Sequence, residues 1–272
     1  MFSLPNILTA MNLVCGIISI IATLAGRIDI SPFFLFAAMG FDFLDGFVAR
    51  KLAIQNELGK QLDSLADMVS FGLAPGIIVM VMIILGVHDG TIAPHDYNYQ
   101  ATSYTWFQIQ AWMQAIFYNV PNHFDASIKY LPFLAFIIPV LSLFRLAKFN
   151  IDTRQSDSFI GLPTPANALL ICFLPMFMTN EGNVVADLLL KPYVLIVICV
   201  VVSYLMIAEL PLIALKFKQF SIVGNEWRYA ILLLSFLLLL ILKQLAVPLI
   251  IILYVILSVL QNSLSKTKTP AH

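Results

Sequence analysis

The chain has 272 residues, of which 60% are hydrophobic and only 11% are charged, and its formal net charge is zero. Soluble domains average about 25% charged residues, so this composition excludes an ordinary soluble globule. The zero net charge also gives no general attraction to nucleic acid. Long apolar runs recur along the whole chain, which indicates a polytopic membrane protein with lipid as its solvent.

The apolar runs predict about eight transmembrane helices, each near the ~20 residues needed to cross a bilayer. In chain order the predicted spans are Ile7–Ala25, Ser31–Ala53, Lys60–Val87, Tyr130–Phe149, Pro163–Met178, Tyr193–Leu212, Tyr229–Leu245 and Pro248–Leu260. The runs are continuous rather than alternating, which favours an all-α polytopic fold over a closed β-barrel. Because no internal repeat is found, we expect a single membrane domain over residues 1–272.

The distribution of Lys and Arg predicts the orientation of these spans. With the N-terminus inside, eleven basic residues lie on the inner side and four on the outer side, as the positive-inside rule requires. The long polar stretch of residues 88–129 is then an external loop. Its part from Trp106 to Val120 is rich in aromatic residues, which is typical of an interfacial helix resting on the membrane surface.

Spans two and three contain a concentration of acid within otherwise apolar sequence. The four carboxylates are Asp42, Asp45, Asp63 and Asp67. Carboxylates inside a membrane are costly and are functional by default. At about 100° per residue each pair lies on one helix face, and the short polar link of residues 54–58 makes the two spans antiparallel neighbours. We therefore expect the two acidic stripes to face each other near the cytoplasmic side.

Four converging carboxylates repel one another unless a cation lies between them. Hard oxygen ligands select ions such as Mg²⁺ or Mn²⁺, and a two-metal site suits phosphoryl transfer. Gly46, Ala49 and Gly59 are small enough to admit a nucleotide or pyrophosphate, and Arg50 is placed to hold a phosphate. A metal, a phosphate and access from the membrane therefore meet at one place, which points to a lipid pyrophosphate as substrate.

This spacing resembles the signature of the CDP-alcohol phosphatidyltransferase family, which covers residues 42–67 here. All eight of its fixed positions match: Asp42, Asp45, Gly46, Ala49, Arg50, Gly59, Asp63 and Asp67. The resemblance implies helical membrane enzymes, often homodimeric, that cleave CDP-diacylglycerol and release CMP. It also implies that the four aspartates bind divalent metal, that Asp67 acts as the base for the acceptor hydroxyl, and that Gly46, Ala49, Arg50 and Gly59 contact the CDP moiety.

The flanking sequence resembles the branch of the family that uses L-serine as acceptor. The similar stretches are residues 5–12, 70–75, 145–150, 161–166 and 203–206. This resemblance implies an enzyme of the bacterial inner membrane whose active site faces the cytoplasm. Glycerol-3-phosphate or inositol phosphate as acceptor, and an archaeal-type lipid as donor, stay open as alternatives.

A small set of polar residues is predicted to contact the acceptor or a phosphate. They are Asn12, Ser70, Arg145, Lys148 and Asn150. The alternative for the two basic residues is that they only anchor the topology. Glu209, two residues before a proline, is interpreted as a capping or interhelical residue without a catalytic role.

An ion-coupled transporter is the alternative from a different functional class. Transporters also place carboxylates within the membrane, but their sites tend to lie near the midplane on broken helices. The four aspartates here lie towards the cytoplasmic ends of their spans, which favours the transferase.

Overall fold

A computed structural model describes residues 3–54, 56–88, 99–118, 128–152, 160–177, 184–189, 191–213, 221 and 225–266. Within these ranges the regular structure is helical, apart from one isolated antiparallel bridge between Ile160 and Pro211. The all-α prediction is confirmed.

Twelve α-helices are found in the described part of the chain. They are α1 Leu4–Leu24, α2 Ser31–Lys51, α3 Glu57–Asp67, α4 Ala74–His88, α5 Tyr99–Phe117, α6 Ile137–Ile151, α7 Thr164–Cys172, α8 Leu174–Phe177, α9 Val184–Leu189, α10 Pro192–Ile207, α11 Glu226–Leu242 and α12 Ala246–Lys266. A π-helical segment, Met68–Leu73, joins α3 to α4, and 3₁₀ turns at Leu131–Phe136 and Lys243–Leu245 precede α6 and α12.

Several of these helices are long and apolar enough to cross a membrane, and the chain is an integral membrane protein. The four long ones are Leu4–Leu24, Ser31–Lys51, Glu57–Val87 and Leu131–Ile151, and shorter apolar helices cover Thr164–Phe177, Pro192–Ile207 and Ala246–Asn262. A helix is found at each of the eight predicted spans.

The sixth span is shorter than predicted, because its helix ends at Ile207 rather than Leu212. The residues that follow leave the helix, and they and the last turn of α10 pair with the segment before α7. The amide of Gly161 donates to the carbonyl of Leu210, and that of Leu162 donates to the carbonyl of Leu205.

Helix α4 is the centre of the bundle. Every residue from Ile78 to Leu85 is buried, as expected of a helix that is hydrophobic all round. Because α3, the π segment and α4 run on without a break, this core helix leads directly into the acidic stripe that ends at Asp67.

Helix α1 packs against α2, α3, the π segment and α4. Its buried face carries small and polar residues rather than large apolar ones: Pro5, Thr9, Asn12, Cys15, Gly16, Ser19, Ala22 and Thr23. Near the far end of α1, the hydroxyls of Ser19 and Thr23 each lie 2.7 Å from that of Ser31 at the start of α2. These contacts hold α1 against the helix that carries the first two aspartates.

Helix α5 covers Tyr99–Phe117, within the stretch predicted to contain an interfacial helix. Ile109 and Trp112 are buried, and the Trp112 indole donates to the carbonyl of Lys129 at 2.8 Å. Trp106 and Phe107 are exposed. The interfacial location stays a prediction, and residues 89–98 and 119–127 of the expected external loop lie outside the described residues.

Candidate active site

Three of the four predicted aspartates converge at one end of the bundle. Carboxylate oxygens of Asp42, Asp63 and Asp67 all lie within 4.8 Å of one another. Asp42 comes from α2, whereas Asp63 and Asp67 come from successive turns of α3. The expectation that the two acidic stripes face each other therefore agrees with the structure at these three residues.

Asp45 lies outside this group of three and is held by α1. The Thr9 hydroxyl donates to Asp45 Oδ2 at 2.5 Å, and the same hydroxyl is 3.1 Å from the carbonyl of Pro5. One turn further along α1, the Asn12 amide donates to Asp67 Oδ1 at 3.0 Å. Two neighbouring residues of α1 thus orient one carboxylate from each acidic helix.

The donor set fits a hard divalent cation. Three carboxylates gathered this closely carry uncompensated negative charge, and oxygen ligands are those that Mg²⁺ and Mn²⁺ prefer. In addition, Asp63 Oδ1 is buried without a hydrogen-bond partner, a costly state for a charged oxygen. A bound cation would satisfy this oxygen, so the residues present fit the metal that the sequence predicts.

A cavity of about 520 Å³ opens beside the aspartates, within the usual size range of small-molecule sites. Among the residues that line it are the following eight: Thr9, Asp45, Gly46, Ala49, Arg50, Gly59, Lys60 and Asp63. All four residues predicted to contact the CDP moiety are therefore found on its wall.

The small residues at this cavity are packed against polar side chains. A Cβ on Gly46 would lie 3.4 Å from Nη1 of Arg50, so the guanidinium folds back over this glycine. A Cβ on Gly59 would lie 3.3 Å from Asn56 Oδ1, the atom that caps α3 by accepting from the Gly59 amide at 2.7 Å. Larger residues at either position would narrow the cavity, which both Arg50 and the start of α3 line.

Directly after Asp67 the helix adopts the π segment, a form that recurs at functional sites. Here α1 approaches very closely. The Ser70 hydroxyl donates to the carbonyl of Asn12 at 3.0 Å, and a Cβ on Gly16 would lie 2.3 Å from Ser70 Oγ. Glycine at position 16 therefore allows the contact that brings Asn12 to Asp67.

The basic residues predicted to meet the acceptor lie on α6. Arg145 is 8% exposed, and its Nη1 donates to the Thr164 hydroxyl at 2.9 Å. Lys148 is more exposed and pairs with Glu209 at 3.2 Å. The acceptor role of both residues stays a prediction.

Asn150, the third predicted acceptor contact on α6, ties that helix to α3. Its side-chain amide donates to Ser64 Oγ at 2.8 Å, and its backbone carbonyl accepts from Lys60 Nζ at 2.8 Å. These bonds set the distance between the acidic stripe and the helix that carries Arg145.

Sequence reasoning gave no site role to Thr9 and Thr164, which the structure brings to this region. Glu209, interpreted from the sequence as a capping or interhelical residue, pairs with Lys148 of α6. Thr9 and Asn12 share a face of α1, because residues three apart do, but this spacing does not show which helices that face meets. No local pattern links Thr164 to Arg145 or Glu209 to Lys148, since both pairs depend on tertiary packing.

The sequence matches the CDP-alcohol phosphatidyltransferase family over residues 2–204. The chain belongs to this family. The match contains the whole aspartate signature and helices α1 to α9, and it ends within α10. The chain is therefore a membrane enzyme of the CDP-alcohol phosphatidyltransferase type, as the signature predicts.

Individual relatives come from bacteria, archaea and yeast. A CDP-diacylglycerol–serine O-phosphatidyltransferase of Bacillus subtilis is 28% identical over 63% of this chain and 74% of its own length. An archaetidylserine synthase of Methanothermobacter thermautotrophicus is 28% identical over 62% of this chain and 56% of its own. A CDP-diacylglycerol–serine O-phosphatidyltransferase of Saccharomyces cerevisiae is 30% identical over 62% of this chain and 51% of its own. For the archaeal and yeast proteins the match thus spans less than two thirds of their length.

Proposed function

We propose that this protein is a phosphatidylserine synthase, which transfers the phosphatidyl group of CDP-diacylglycerol to the hydroxyl of L-serine and releases CMP. The observation that carries the proposal is the convergence of Asp42, Asp63 and Asp67 beside a cavity of about 520 Å³ lined by the rest of the signature. The names of the bacterial and yeast relatives support serine as the acceptor.

The four aspartates would hold Mg²⁺ or Mn²⁺. When bound, such an ion neutralises charge on the pyrophosphate and on the leaving phosphate. The cavity would receive the CDP moiety between the start of α3 and the end of α2, where Arg50 supplies a cation for a phosphate. Burial of Asp67 keeps bulk water away from the reacting centre.

Asp67 is the proposed base. It accepts the proton of the serine hydroxyl, whose oxygen attacks the phosphorus that bears diacylglycerol. The bond from this phosphorus to the CMP oxygen breaks, and CMP leaves with the electron pair. The hydrogen bond from Asn12 holds the Asp67 carboxylate in one orientation for this proton transfer.

Arg145 is the proposed partner of the serine carboxylate, with Lys148 second. A planar guanidinium suits a carboxylate, and the helix that carries Arg145 packs against the π segment directly after Asp67. A serine held by its carboxylate at Arg145 would direct its hydroxyl towards Asp67. Asn12, Ser70 and Asn150 would support the site through the hydrogen bonds described above.

For the cellular setting we propose a homodimer in a bacterial inner membrane with the active site facing the cytoplasm. The excess of Lys and Arg on the side of the aspartates supports this orientation. The dimer rests on the family resemblance and is tested by the mass of the protein in detergent.

The test is an acceptor panel. The purified full-length protein in liposomes is given CDP-diacylglycerol with L-serine, glycerol-3-phosphate or inositol phosphate, and CMP release and lipid products are measured. We expect phosphatidylserine as the main product, loss of activity with a chelator and recovery with Mg²⁺ or Mn²⁺. Efficient transfer to one of the phosphorylated acceptors and not to serine would assign the other branch, and divalent-metal uptake without CMP release would favour a transporter.

A further inference from the structure

A second cavity of about 260 Å³ lies between α6 and the end of α10. Its lining includes Arg145 and Lys148 on α6, and apolar residues such as Phe144, Met206 and Ile207 form much of the rest. Among the described residues, none lines both this cavity and the larger one. Arg145 stands between the two, because its guanidinium carbon lies 5.6 Å from the ring of Phe149 on the wall of the larger cavity.

Arg145 has hydrogen-bonding capacity left for a ligand. Its Nη1 is used by Thr164, but its Nε is buried without a hydrogen-bond partner. A buried donor left unsatisfied is costly, and a carboxylate that reached this atom from the cavity would remove the cost. The Arg145 guanidinium therefore lies on the wall of the second cavity with a donor available for an anionic ligand.

Glu209 adds a charge of the opposite sign at the edge of the same cavity. Its carboxylate lies 3.2 Å from Lys148 Nζ, and its neighbour Ala208 is part of the lining. The side chain of Lys148 is 46% exposed and that of Glu209 is 66% exposed, so solvent reaches both. The edge of the cavity thus presents an ammonium and a carboxylate side by side.

The backbone around Glu209 is held on both sides, although the helix has ended. The Ala208 amide donates to the carbonyl of Tyr204, and the Leu210 carbonyl accepts from Gly161, both at 2.9 Å. Gly161 has a φ of +76°, and a Cβ there would lie 2.6 Å from the carbonyl oxygen of Met206. The close pairing of these segments places Glu209 beside Lys148 before any ligand binds.

We propose that this second cavity is the acceptor pocket and that Glu209 is its specificity-determining residue, which binds the ammonium group of serine while Arg145 and Lys148 bind the carboxylate. The inference rests on the proposed function, because it assigns the acceptor side of that reaction. Serine carries its carboxylate, ammonium and hydroxymethyl groups on one carbon. With the first two bound at Arg145 and Glu209, the third extends past Arg145 towards Asp67.

The same arrangement discriminates against other acceptors. Glycerol-3-phosphate and inositol phosphate carry two negative charges and no ammonium group, so they would meet the Glu209 carboxylate with a like charge. Like-charge contacts are an effective means of rejecting a wrong ligand. Glu209 lies outside the residues matched by the family, which end at residue 204.

The test compares Glu209→Gln with Asp187→Asn, a matched loss of one exposed carboxylate on α9. Both variants of the full-length protein are assayed in liposomes. For Glu209→Gln we expect the KM for serine to rise about three- to fivefold, the upper part of the range for a partly exposed ion pair. The KM for CDP-diacylglycerol and kcat should stay within about twofold of the unmodified protein, and Asp187→Asn should change none of these values.

Inhibitors that each lack one charge of serine identify the group that Glu209 contacts. In Glu209→Gln, inhibition by ethanolamine, which has the ammonium but no carboxylate, should weaken. Inhibition by 3-hydroxypropionate, which has the carboxylate but no ammonium, should stay equal or strengthen. Equal weakening of both would overturn the proposal, because Glu209 would then act only by positioning Lys148.

The doubly substituted variant Lys148→Glu/Glu209→Lys separates recognition from packing, because it keeps an ion pair but exchanges its ends. We expect its KM for serine to stay raised. Recovery to the original KM would show that the pair is only structural, and an increase confined to the KM for CDP-diacylglycerol would assign the cavity to the lipid donor. Absence of phosphatidylserine formation by the unmodified protein would overturn the proposed function itself, whereas activity with no effect at Glu209 would overturn the pocket alone.

Discussion

The contact between Gly16 and Ser70 leads to a specific prediction for the substitution Gly16→Ala. The added Cβ would lie 2.3 Å from Ser70 Oγ and 2.8 Å from Ser70 Cα, whereas ordinary contacts begin near 3.4 Å. Because one of these atoms belongs to the backbone, rotation of the Ser70 side chain cannot relieve the overlap. Helix α1 must therefore move away from the π segment by roughly 0.6–1.1 Å, since packed interiors have no spare volume to absorb it.

A movement of this size breaks the hydrogen bond between Asn12 and Asp67. The bond is 3.0 Å long, and an interaction stretched to about 3.6 Å or more no longer counts as a hydrogen bond. Loss of a hydrogen bond to a charged group costs about 1.5–3 kcal/mol. If the hydrogen bond contributes this free energy by positioning the base in the transition state, its loss lowers kcat about ten- to a hundredfold. Overpacking should also lower the free energy of unfolding by about 1–3 kcal/mol.

The assay measures kcat for CMP release by Gly16→Ala, with thermal unfolding in detergent as a separate readout. Gly40→Ala is the matched control, because a Cβ at Gly40 on α2 meets nothing within 4 Å; it should keep its activity. Addition of Ser70→Ala to Gly16→Ala should recover little, since the Cα and Cβ of residue 70 would still be closer than 3.0 Å. An unchanged kcat in a folded Gly16→Ala protein would refute the idea that α1 orients Asp67.

Four further outcomes are expected. Asp67→Asn should retain metal-dependent binding of CDP-diacylglycerol better than Asp63→Asn yet lose turnover. Turnover near that of the unmodified protein would show that Asp67 is not the base. Arg145→Ala should raise the KM for serine roughly ten- to a hundredfold, and an equal rise for the lipid donor would assign Arg145 to the pyrophosphate. On intact cells, an impermeant thiol reagent should label a single cysteine at Gln110 but not one at Leu52; the reverse pattern would invert the topology. A chiral thiophosphate donor should react with inversion at phosphorus, whereas retention would require a covalent intermediate on the enzyme.

The positions of the helices and of the aspartates were predictable because both depend on short-range patterns. Continuous apolar runs of sufficient length locate the spans, and the spacing of Asp63 and Asp67 puts both on one face of α3. The helix that ends early, α10, shows the limit of this reasoning. The predicted end of this span includes Glu209 and Pro211, which do not favour a helix, and the chain pairs with residues 160–162 there instead.

The role of α1 was not predictable from such patterns. The polar link between α2 and α3 suggested that these two helices are direct neighbours, whereas both pack extensively against α1 in the structure. Thr9 and Asn12 reach Asp45 and Asp67 only because Gly16 lets α1 come close to the π segment. Thr9 and Asp45 are 36 positions apart, and Asn12 and Asp67 are 55 positions apart. Contacts over such separations leave no local pattern in a single sequence.

The π segment after Asp67 sets the rotational phase between the two halves of the longest helical run in the described residues, Glu57–Val87. A π turn takes in more residues than an α turn, so the face that carries Asp63 and Asp67 does not continue as a stripe along α4. The half that holds the aspartates has exposed side chains such as Leu58 and Leu65, whereas every residue from Ile78 to Leu85 in the other half is buried. Deletion of one residue from Met68–Leu73 would turn α4 by about 100° relative to Asp67. The length of these six residues therefore matters as much as their identity.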